Sequence, residues 1–231
     1  MIFLIGAEGK IGLNIGAELN RLNTQFTSVT RTGGGNSWSF DRLLDEIKDF
    51  EQAVIINSAT LSINKLQVLL GEVKSKTKII HISSVSIYGN STPPNIVRPV
   101  NAYGEKKLLE EKEILQHNNY IIIRLANIYG GVPETSGVLA LYQNSRLEFV
   151  ETDPHGNELI RDYVGIDKLL AFIIKSINIK TSCIINVSSG VGSTLTEFCT
   201  RQGIDTSHLT KVVCKDDTIF ESVVSPTYLN Y

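Results

Sequence analysis

The feature that most constrains the fold of this chain is a glycine turn near its N-terminus. An apolar run at residues 2–5 leads directly into GAEGKIG, and a segment with helical spacing of apolar residues follows. Glycines in such a turn permit the tight bend, let the backbone approach a pyrophosphate and let the helix pack closely on the strand. The helix N-terminus also offers unpaired N–H groups to phosphate oxygens. The turn therefore predicts a dinucleotide site formed by Gly6, Gly9, Lys10, Ile11 and Gly12.

The Gly9–Lys10 pair also invites a P-loop interpretation. A P-loop needs four residues between its glycines and a Ser or Thr directly after the lysine. In this sequence Ala7 and Glu8 alone separate Gly6 from Gly9, and Ile11 follows the lysine. The P-loop is therefore excluded.

Apolar, β-rich runs alternate with helical patterns along the first 129 residues, as is typical of βαβ units. We expect strands at residues 2–5, 26–30, 38–40, 53–57, 79–83 and 120–125, and helices at 11–22, 43–50, 63–73 and 102–117. Several strands are continuous apolar runs, which indicates that both faces of the sheet are covered. With right-handed crossovers these units predict an α/β fold with an open, doubly wound parallel sheet, the Rossmann arrangement.

The pattern changes after residue 129. A Gly- and Pro-containing loop at 130–137 precedes an expected helix at 138–144 and a short strand at 147–150. A helix at 166–177, a strand at 183–187 and a helix at 194–201 should follow. We therefore expect residues 1–129 to be mainly the dinucleotide-binding part, and residues 130–231 to be mainly a smaller C-terminal substrate lobe interleaved with the sheet.

Composition excludes several classes of function. A net charge of −2 gives no electrostatic basis for binding nucleic acid or an anionic membrane, and no apolar run is long enough to span a bilayer. The four histidines and three cysteines lack metal-ligand spacing, so no metal site is expected. An odd cysteine count without a CxxC pair or a secretory signal favours the reducing cytoplasm.

A tyrosine and a lysine stand four positions apart in NAYGEKK, at Tyr103 and Lys107. On a helix these positions share one face, so a phenol and an ammonium group can reach the same point. Alone, the pair favours the simpler interpretation, a solvated helix start. Ser84 is more informative, because it ends the fifth strand, HISSVSIYG, where open α/β sheets bind their ligands.

The motifs occur together in one order, from residue 1 to about residue 200: the glycine turn, SSVSIYG, YGEKK, RLANIYG, RDYVGIDKL and INVSSG. In the content and order of these motifs, the chain resembles the extended short-chain dehydrogenase/reductases, the epimerase/dehydratase group that acts on nucleotide sugars. The resemblance implies that Ser84, Tyr103 and Lys107 are catalytic, and it favours the acid/base interpretation of the Tyr–Lys pair.

The resemblance also implies the ligand contacts. Asp41 falls where the family contacts adenine, and the end of the fourth strand from Asn57 onward should line the cofactor site. The implied cofactor residues beyond the glycine turn are Asp41, Ser58, Ala59, Thr60, Ser83, Tyr103 and Lys107. Ser84, Asn127 and Arg161 are implied to hold the nucleotide sugar, with Arg161 at its diphosphate. Because helices of this family pair across a two-fold axis, a homodimer is expected.

The chemistry of the Tyr–Lys pair is consistent with this implication. A free tyrosine has a pKa of about 10, and a nearby ammonium group and an oxidised nicotinamide both favour the phenolate. Such a group can take a proton from a sugar hydroxyl while hydride leaves the same carbon. Ser84-Val85-Ser86 lacks the carboxylate of the family's dehydratases, so an epimerase or 4-keto reductase is favoured. The alternative is a catalytically silent NAD(P)-binding sensor on the same fold.

The end of the second strand bears on which dinucleotide binds. An acidic residue about 20 residues beyond the glycine turn would bond the ribose 2′-OH of NAD, but the segment between Glu18 and Asp41 contains no Asp or Glu. Arg31 occupies this region and can pair with a 2′-phosphate. NADP(H) is therefore favoured over NAD(H). Alternatively, Arg31 stacks on adenine or points to solvent, and NAD binds.

Overall fold

The structure is a computed structural model, which describes residues 1–90, 96–132, 148–214 and 223. The predicted helix at 138–144 lies outside these residues. The described strands are β1 Ile2–Ile5, β2 Thr27–Thr30, β3 Trp38–Ser39, β4 Val54–Asn57, β5 Lys78–Ser84, β6 Tyr120–Leu125, β7 Asn127–Tyr129, β8 Phe149–Thr152, β9 Arg161–Gly165, β10 Cys183–Val187, β11 Gly192–Ser193 and β12 Thr210–Val213. The described helices are α1 Lys10–Arg21, α2 Phe40–Ile47, α3 Ile63–Glu72, α4 Ala102–Ile114, α5 Ile166–Asn178 and α6 Leu195–Arg201, with a 3₁₀ turn at Val85–Tyr88.

Seven strands form one sheet in the order β10-β6-β5-β4-β1-β2-β3. β1 pairs in parallel with both β2 and β4, which places the reversal of strand order beside β1. In open α/β sheets ligands bind outside the carboxyl ends of the strands at this reversal. The predicted doubly wound α/β fold is confirmed.

The chain divides into two compact units. The first contains Met1–Ser83, Leu109–Arg124 and Ile166–Ile185, and the second contains Ser84–Leu108, Leu125–Gly165 and Asn186–Tyr231. The first unit includes α5 and part of β10 from the region after residue 129, which was expected to be interleaved with the sheet. α5 packs against α1 and so belongs with the first unit, although it lies far beyond residue 129 in the chain.

The first unit owes its stability to burial of the apolar runs. All four residues of β1 are buried, as are six of the seven residues of β5. Phe3, Ile55 and Ile79, from three neighbouring strands, are fully buried in one hydrophobic cluster. Full burial of one such side chain contributes about 1.5–3 kcal/mol. The continuous apolar runs that predicted covered strands therefore form the core.

The second unit contains two small sheets. β9 pairs in parallel with β7 and antiparallel with β11, and β12 pairs in parallel with β8. A smaller core forms around Phe198, whose ring stacks on that of Tyr163 with centroids 4.1 Å apart. Burial raises the pKa of the Tyr163 phenol to about 12. β7, β9, β11 and β12 have no counterpart among the predicted strands.

Several element boundaries differ from the sequence-based expectation for local reasons. α2 begins at Phe40 rather than residue 43, because the Ser39 hydroxyl accepts from the Arg42 N–H and caps the helix. α4 ends at Ile114 rather than residue 117, where the His117 ring instead contacts the Thr77 carbonyl oxygen. β8 begins two residues later than expected, at Phe149.

In the described part of the chain, none of the helices has the length and apolarity that a bilayer crossing requires. The same residues contain no group of three or more His, Cys, Asp or Glu side chains arranged to hold a metal ion.

Candidate active site

The glycine turn has the close contacts that its sequence predicts. Gly6 has a φ of +80° and donates its N–H to the Val29 carbonyl at 2.9 Å. A Cβ on Gly12 would lie 2.1 Å from the Gly6 carbonyl oxygen, so only glycine permits this packing of helix on turn. Gly6 and Gly12 are therefore required by the backbone of the protein itself.

Gly9 is different, because the protein leaves space around it. A Cβ added there would meet the Gly6 carbonyl oxygen at 3.4 Å, an ordinary contact. Gly9 is also the N-cap of α1, and it has no side chain with which to satisfy the first N–H groups of that helix. An open backbone surface at a helix N-terminus suits a pyrophosphate. The turn thus fits the dinucleotide that its sequence implies.

A cavity of about 520 Å³ opens beside this turn, within the size range of ligand sites. Its lining residues come from the turn, the ends of β1 and β2, the start of α2 and the segment after β4: Ile5, Gly6, Glu8, Val29, Thr30, Arg31, Phe40, Ala59, Thr60, Leu61, Ser62 and Lys65. Gly6, Arg31, Ala59 and Thr60 were predicted from the sequence.

The segment after β4 is held firmly against the glycine turn. The Ser58 hydroxyl donates to the Ile5 carbonyl oxygen at 2.8 Å, and the Ala59 N–H donates to the Asn57 side-chain oxygen at 3.2 Å. A backbone fixed at both sides of a cleft loses little further freedom when a ligand binds. Ser58 thus anchors the segment after β4 to the end of β1, beside the cavity.

Lys65 is a cavity residue that was not predicted from the sequence. It lies in the first turn of α3, whose N-cap Ser62 accepts from the Lys65 N–H at 3.3 Å. Its ammonium nitrogen lies 5.2 Å from the centroid of the Phe40 ring. The signal was present, since a Ser N-cap soon after a parallel strand places the next helix turn at the ligand-binding edge.

Two of the predicted cofactor residues, Asp41 and Ser83, are not in the described lining of the cavity. Asp41 is exposed in the first turn of α2, outside the cavity lining among the described residues. Ser83 donates its hydroxyl to a carboxylate oxygen of Glu111, which is buried and also forms an ion pair with Arg124. The Arg124 Nη2 and Nε atoms lie 2.7 Å and 3.1 Å from the two Glu111 oxygens.

The second unit contains the predicted catalytic residues. Ser84 is the N-cap of the 3₁₀ turn, and its hydroxyl oxygen accepts from the Ser86 N–H at 3.2 Å and from the Ser86 hydroxyl at 3.0 Å. In the same turn the Tyr88 hydroxyl donates to the Asn186 side-chain oxygen at 2.9 Å. The Ser84 side chain is therefore held by its neighbour two residues later.

Tyr103 and Lys107 lie one turn apart near the start of α4. The Tyr103 side chain is accessible, with 53% of the residue exposed, whereas Lys107 is 4% exposed. A Cβ on Gly104 would lie 2.6 Å from the Ser86 carbonyl oxygen. Glycine at this position thus lets the first turn of α4 lie directly on the turn that follows Ser84. The structure brings the Ser84 turn and the Tyr–Lys turn into contact.

Asn127 and Arg161, the predicted substrate residues, lie on the paired strands β7 and β9. The Asn127 side-chain nitrogen donates to the Asp162 carbonyl oxygen at 3.1 Å. Arg161 Nη2 lies 2.9 Å from a carboxylate oxygen of Glu151, which is about half exposed. Both side chains thus have protein contacts that a substrate would rearrange or share.

The sequence places the chain in a known family. The profile of the NAD dependent epimerase/dehydratase family matches residues 51–178, which is more than half of the 231 residues. The chain belongs to this family. The expectation of an NAD(P)-dependent enzyme of the short-chain dehydrogenase/reductase type is thereby confirmed at the level of the family. A sequence search of curated proteins finds no match.

Solved structures give the same fold. The chain is similar to MoeE5 in complex with UDP-glucuronic acid and NAD, with a TM-score of 0.79, 17% identity and coverage of 97% of this chain and 89% of that one. It is similar to the UDP-glucose 4-epimerase of Thermus thermophilus in complex with NAD, with a TM-score of 0.76, 15% identity and coverage of 97% of this chain and 90% of that one. It is also similar to TunA, an NAD-dependent NDP-hexosamine 5,6-dehydratase, with a TM-score of 0.78, 17% identity and coverage of 97% of this chain and 88% of that one.

Proposed function

We propose that this family member transfers hydride at a carbon of a nucleotide sugar, as an epimerase or 4-keto reductase. One observation carries the proposal: Gly104 packs on Ser86, so the turn that begins at Ser84 lies against the helix turn of Tyr103 and Lys107. A hydroxyl, an accessible phenol and a buried ammonium group on contacting turns are the groups that proton transfer to or from a sugar oxygen requires.

Each group has a separate role. A bound nicotinamide dinucleotide would supply the site that accepts or returns hydride, and the glycine turn and the N-terminus of α1 would hold its pyrophosphate. Tyr103 takes the proton of the sugar hydroxyl or gives it back. Lys107 stabilises the phenolate form of Tyr103 by its positive charge. Ser84 bonds the sugar oxygen and holds it in line with the phenol.

The proposal of a nucleotide sugar as substrate has two supports. The MoeE5 complex contains UDP-glucuronic acid, the Thermus thermophilus protein is a UDP-glucose 4-epimerase and TunA is an NDP-hexosamine 5,6-dehydratase, and this chain shares their fold. The Arg161 guanidinium has the planar fork that suits diphosphate oxygens, provided that it exchanges Glu151 for the ligand. Asn127 would contact the sugar nucleotide from the neighbouring strand. The predicted homodimer stays a prediction.

The sequence at the 3₁₀ turn favours an epimerase or reductase over a dehydratase, because Ser84-Val85-Ser86 carries no carboxylate. A silent dinucleotide sensor is the second candidate. A sensor does not require an accessible phenol beside a buried lysine, and the retention of both groups argues against it.

We further propose that NADP(H) is favoured over NAD(H). Arg31 and Lys65 are both in the lining of the cavity beside the glycine turn, where Glu8 is the one acidic residue in the described lining. Two cations suit the additional phosphate of NADP, and the guanidinium can bond it through two N–H groups.

Turnover tests the proposal. The purified chain, supplied with NADP or NAD, is incubated with a panel of UDP-, dTDP- and GDP-sugars and their 4-keto derivatives, and products are resolved by chromatography. We expect an epimerised or reduced sugar from at least one nucleotide class. Dinucleotide binding without turnover of any sugar in the panel would support the sensor instead.

A further inference from the structure

The hydroxyl oxygen of Ser84 accepts two hydrogen bonds. Its oxygen accepts from two groups of the same residue, the Ser86 N–H at 3.2 Å and the Ser86 hydroxyl at 3.0 Å. A serine hydroxyl has two acceptor lone pairs and one O–H donor. Ser86 therefore occupies both acceptor positions of Ser84 and leaves its O–H for another partner.

Ser86 is itself held in a fixed place. It is 4% exposed and lies within the 3₁₀ turn Val85–Tyr88. Its carbonyl oxygen lies against Gly104 of α4, and the Gly89 N–H donates to that oxygen at 3.2 Å. A buried donor in a packed turn keeps its orientation, so the bond from Ser86 to Ser84 is constrained by the fold.

From these contacts we infer that Ser86 is a positioning residue that makes Ser84 a hydrogen-bond donor toward the sugar oxygen. The inference rests on the proposed function. When the sugar hydroxyl passes its proton to Tyr103, negative charge develops on the sugar oxygen, and an O–H aimed at that oxygen stabilises it. A Ser84 hydroxyl that instead donated to a neighbouring protein group would lose this effect. No bond other than the hydrogen bond is made or broken by Ser84 or Ser86.

A double-mutant cycle tests the coupling. Ser86→Ala removes one of the two donors, and we expect kcat to fall about 5- to 10-fold with little change in KM. Ser86→Thr retains the hydroxyl and should recover most of the lost kcat. In a Ser84→Ala background, Ser86→Ala should change kcat less than about 2-fold, because its effect acts through the missing hydroxyl. An equal fall in both backgrounds would contradict the inference.

Ser193→Ala is the matched control. Ser193 is also a buried serine of the second unit, and its hydroxyl makes no hydrogen bond within the described residues. This variant should keep the kcat of wild type. Thermal unfolding of every variant separates a loss of fold from a loss of positioning.

A second measurement does not depend on turnover. In a crystal structure of Ser86→Ala, the Ser84 side chain should change its rotamer or occupy more than one. A single unchanged Ser84 rotamer would overturn the inference. If wild type turns over none of the nucleotide sugars, the proposed function fails, and the Ser84 rotamer alone then decides whether Ser86 positions that hydroxyl.

Discussion

Gly9 and Gly12 belong to one motif, but the structure assigns them different constraints. A Cβ on Gly12 would clash with the Gly6 carbonyl oxygen, whereas a Cβ on Gly9 would make only an ordinary contact. We expect Gly9→Ala to fold with nearly the wild-type unfolding temperature and to lose at least about tenfold in dinucleotide affinity, because a methyl group occupies the pyrophosphate position. Gly12→Ala should lose stability as well.

Calorimetric titration with NADP and NAD, together with thermal unfolding, separates the two effects. Gly12→Ala is the control for a change that disturbs the helix packing. Wild-type affinity in a folded Gly9→Ala variant would show that the dinucleotide does not approach this turn.

Arg31 allows a test of the cofactor preference. If its guanidinium bonds the 2′-phosphate, Arg31→Ala should weaken NADP binding by about tenfold or more and leave NAD binding nearly unchanged, since a charged hydrogen bond is worth about 1.5–3 kcal/mol. Arg42→Ala is the matched control, because Arg42 stacks on Trp38 outside the cavity lining. A wild type that binds NAD more tightly than NADP would refute the preference.

At the scale of elements, a buried carboxylate joins α4 to two strands. Glu111 is 1% exposed, accepts from Ser83 at the end of β5 and pairs with Arg124 on β6. Removing one partner of a buried pair leaves an uncompensated charge, so Glu111→Ala should lower the free energy of unfolding by about 3–5 kcal/mol. Glu111→Gln keeps the shape of the side chain and should lower the free energy of unfolding by less than Glu111→Ala does.

Urea unfolding measures this difference. Glu105→Ala is the control, because Glu105 is exposed on the same helix and its loss should change stability by no more than about 0.5 kcal/mol. If Glu111→Ala and Glu105→Ala were equally stable, the carboxylate would not join the helix to the strands.

The sequence predicted those elements that are formed by local pattern. β1 and most of β4 are apolar, and their burial follows from that composition, whereas β5 also buries Lys78 and His81. β7 and β9 were missed because each is short and neither is a continuous apolar run: β9 begins with the adjacent charged residues Arg161 and Asp162, and pairing with the partner strand defines both. The early start of α2 could have been predicted from Ser39, whose hydroxyl caps it.

The residues of the candidate site also differ in whether the sequence alone predicts them. The glycine turn, Ser84, Tyr103 and Lys107 could be named from motif order, because each motif is short and local. Lys65 could have been inferred from the Ser62 N-cap that follows β4. Ser86 could not be assigned a role, since its importance depends on a hydrogen bond that only the folded chain creates.

At the scale of the whole molecule, the chain passes repeatedly between its two compact units. Ser83 and Ser84 belong to different units although they are adjacent, and α4 contributes its first turns to one and its last to the other. The sequence suggests a boundary at residue 129, because the regular alternation of predicted strands and helices ends there. The return of α5 and most of β10 to the first unit depends on packing between residues far apart in sequence.

We propose that this chain carries out hydride transfer with Tyr103 as its acid/base group. The most direct measurement is turnover of the identified nucleotide sugar by wild type and by Tyr103→Phe, with dinucleotide affinity determined for both. We expect kcat of Tyr103→Phe to fall about 10²–10⁴-fold while its dinucleotide affinity and unfolding temperature stay close to those of wild type. A Tyr103→Phe variant whose turnover stays within a few-fold of wild type would contradict it.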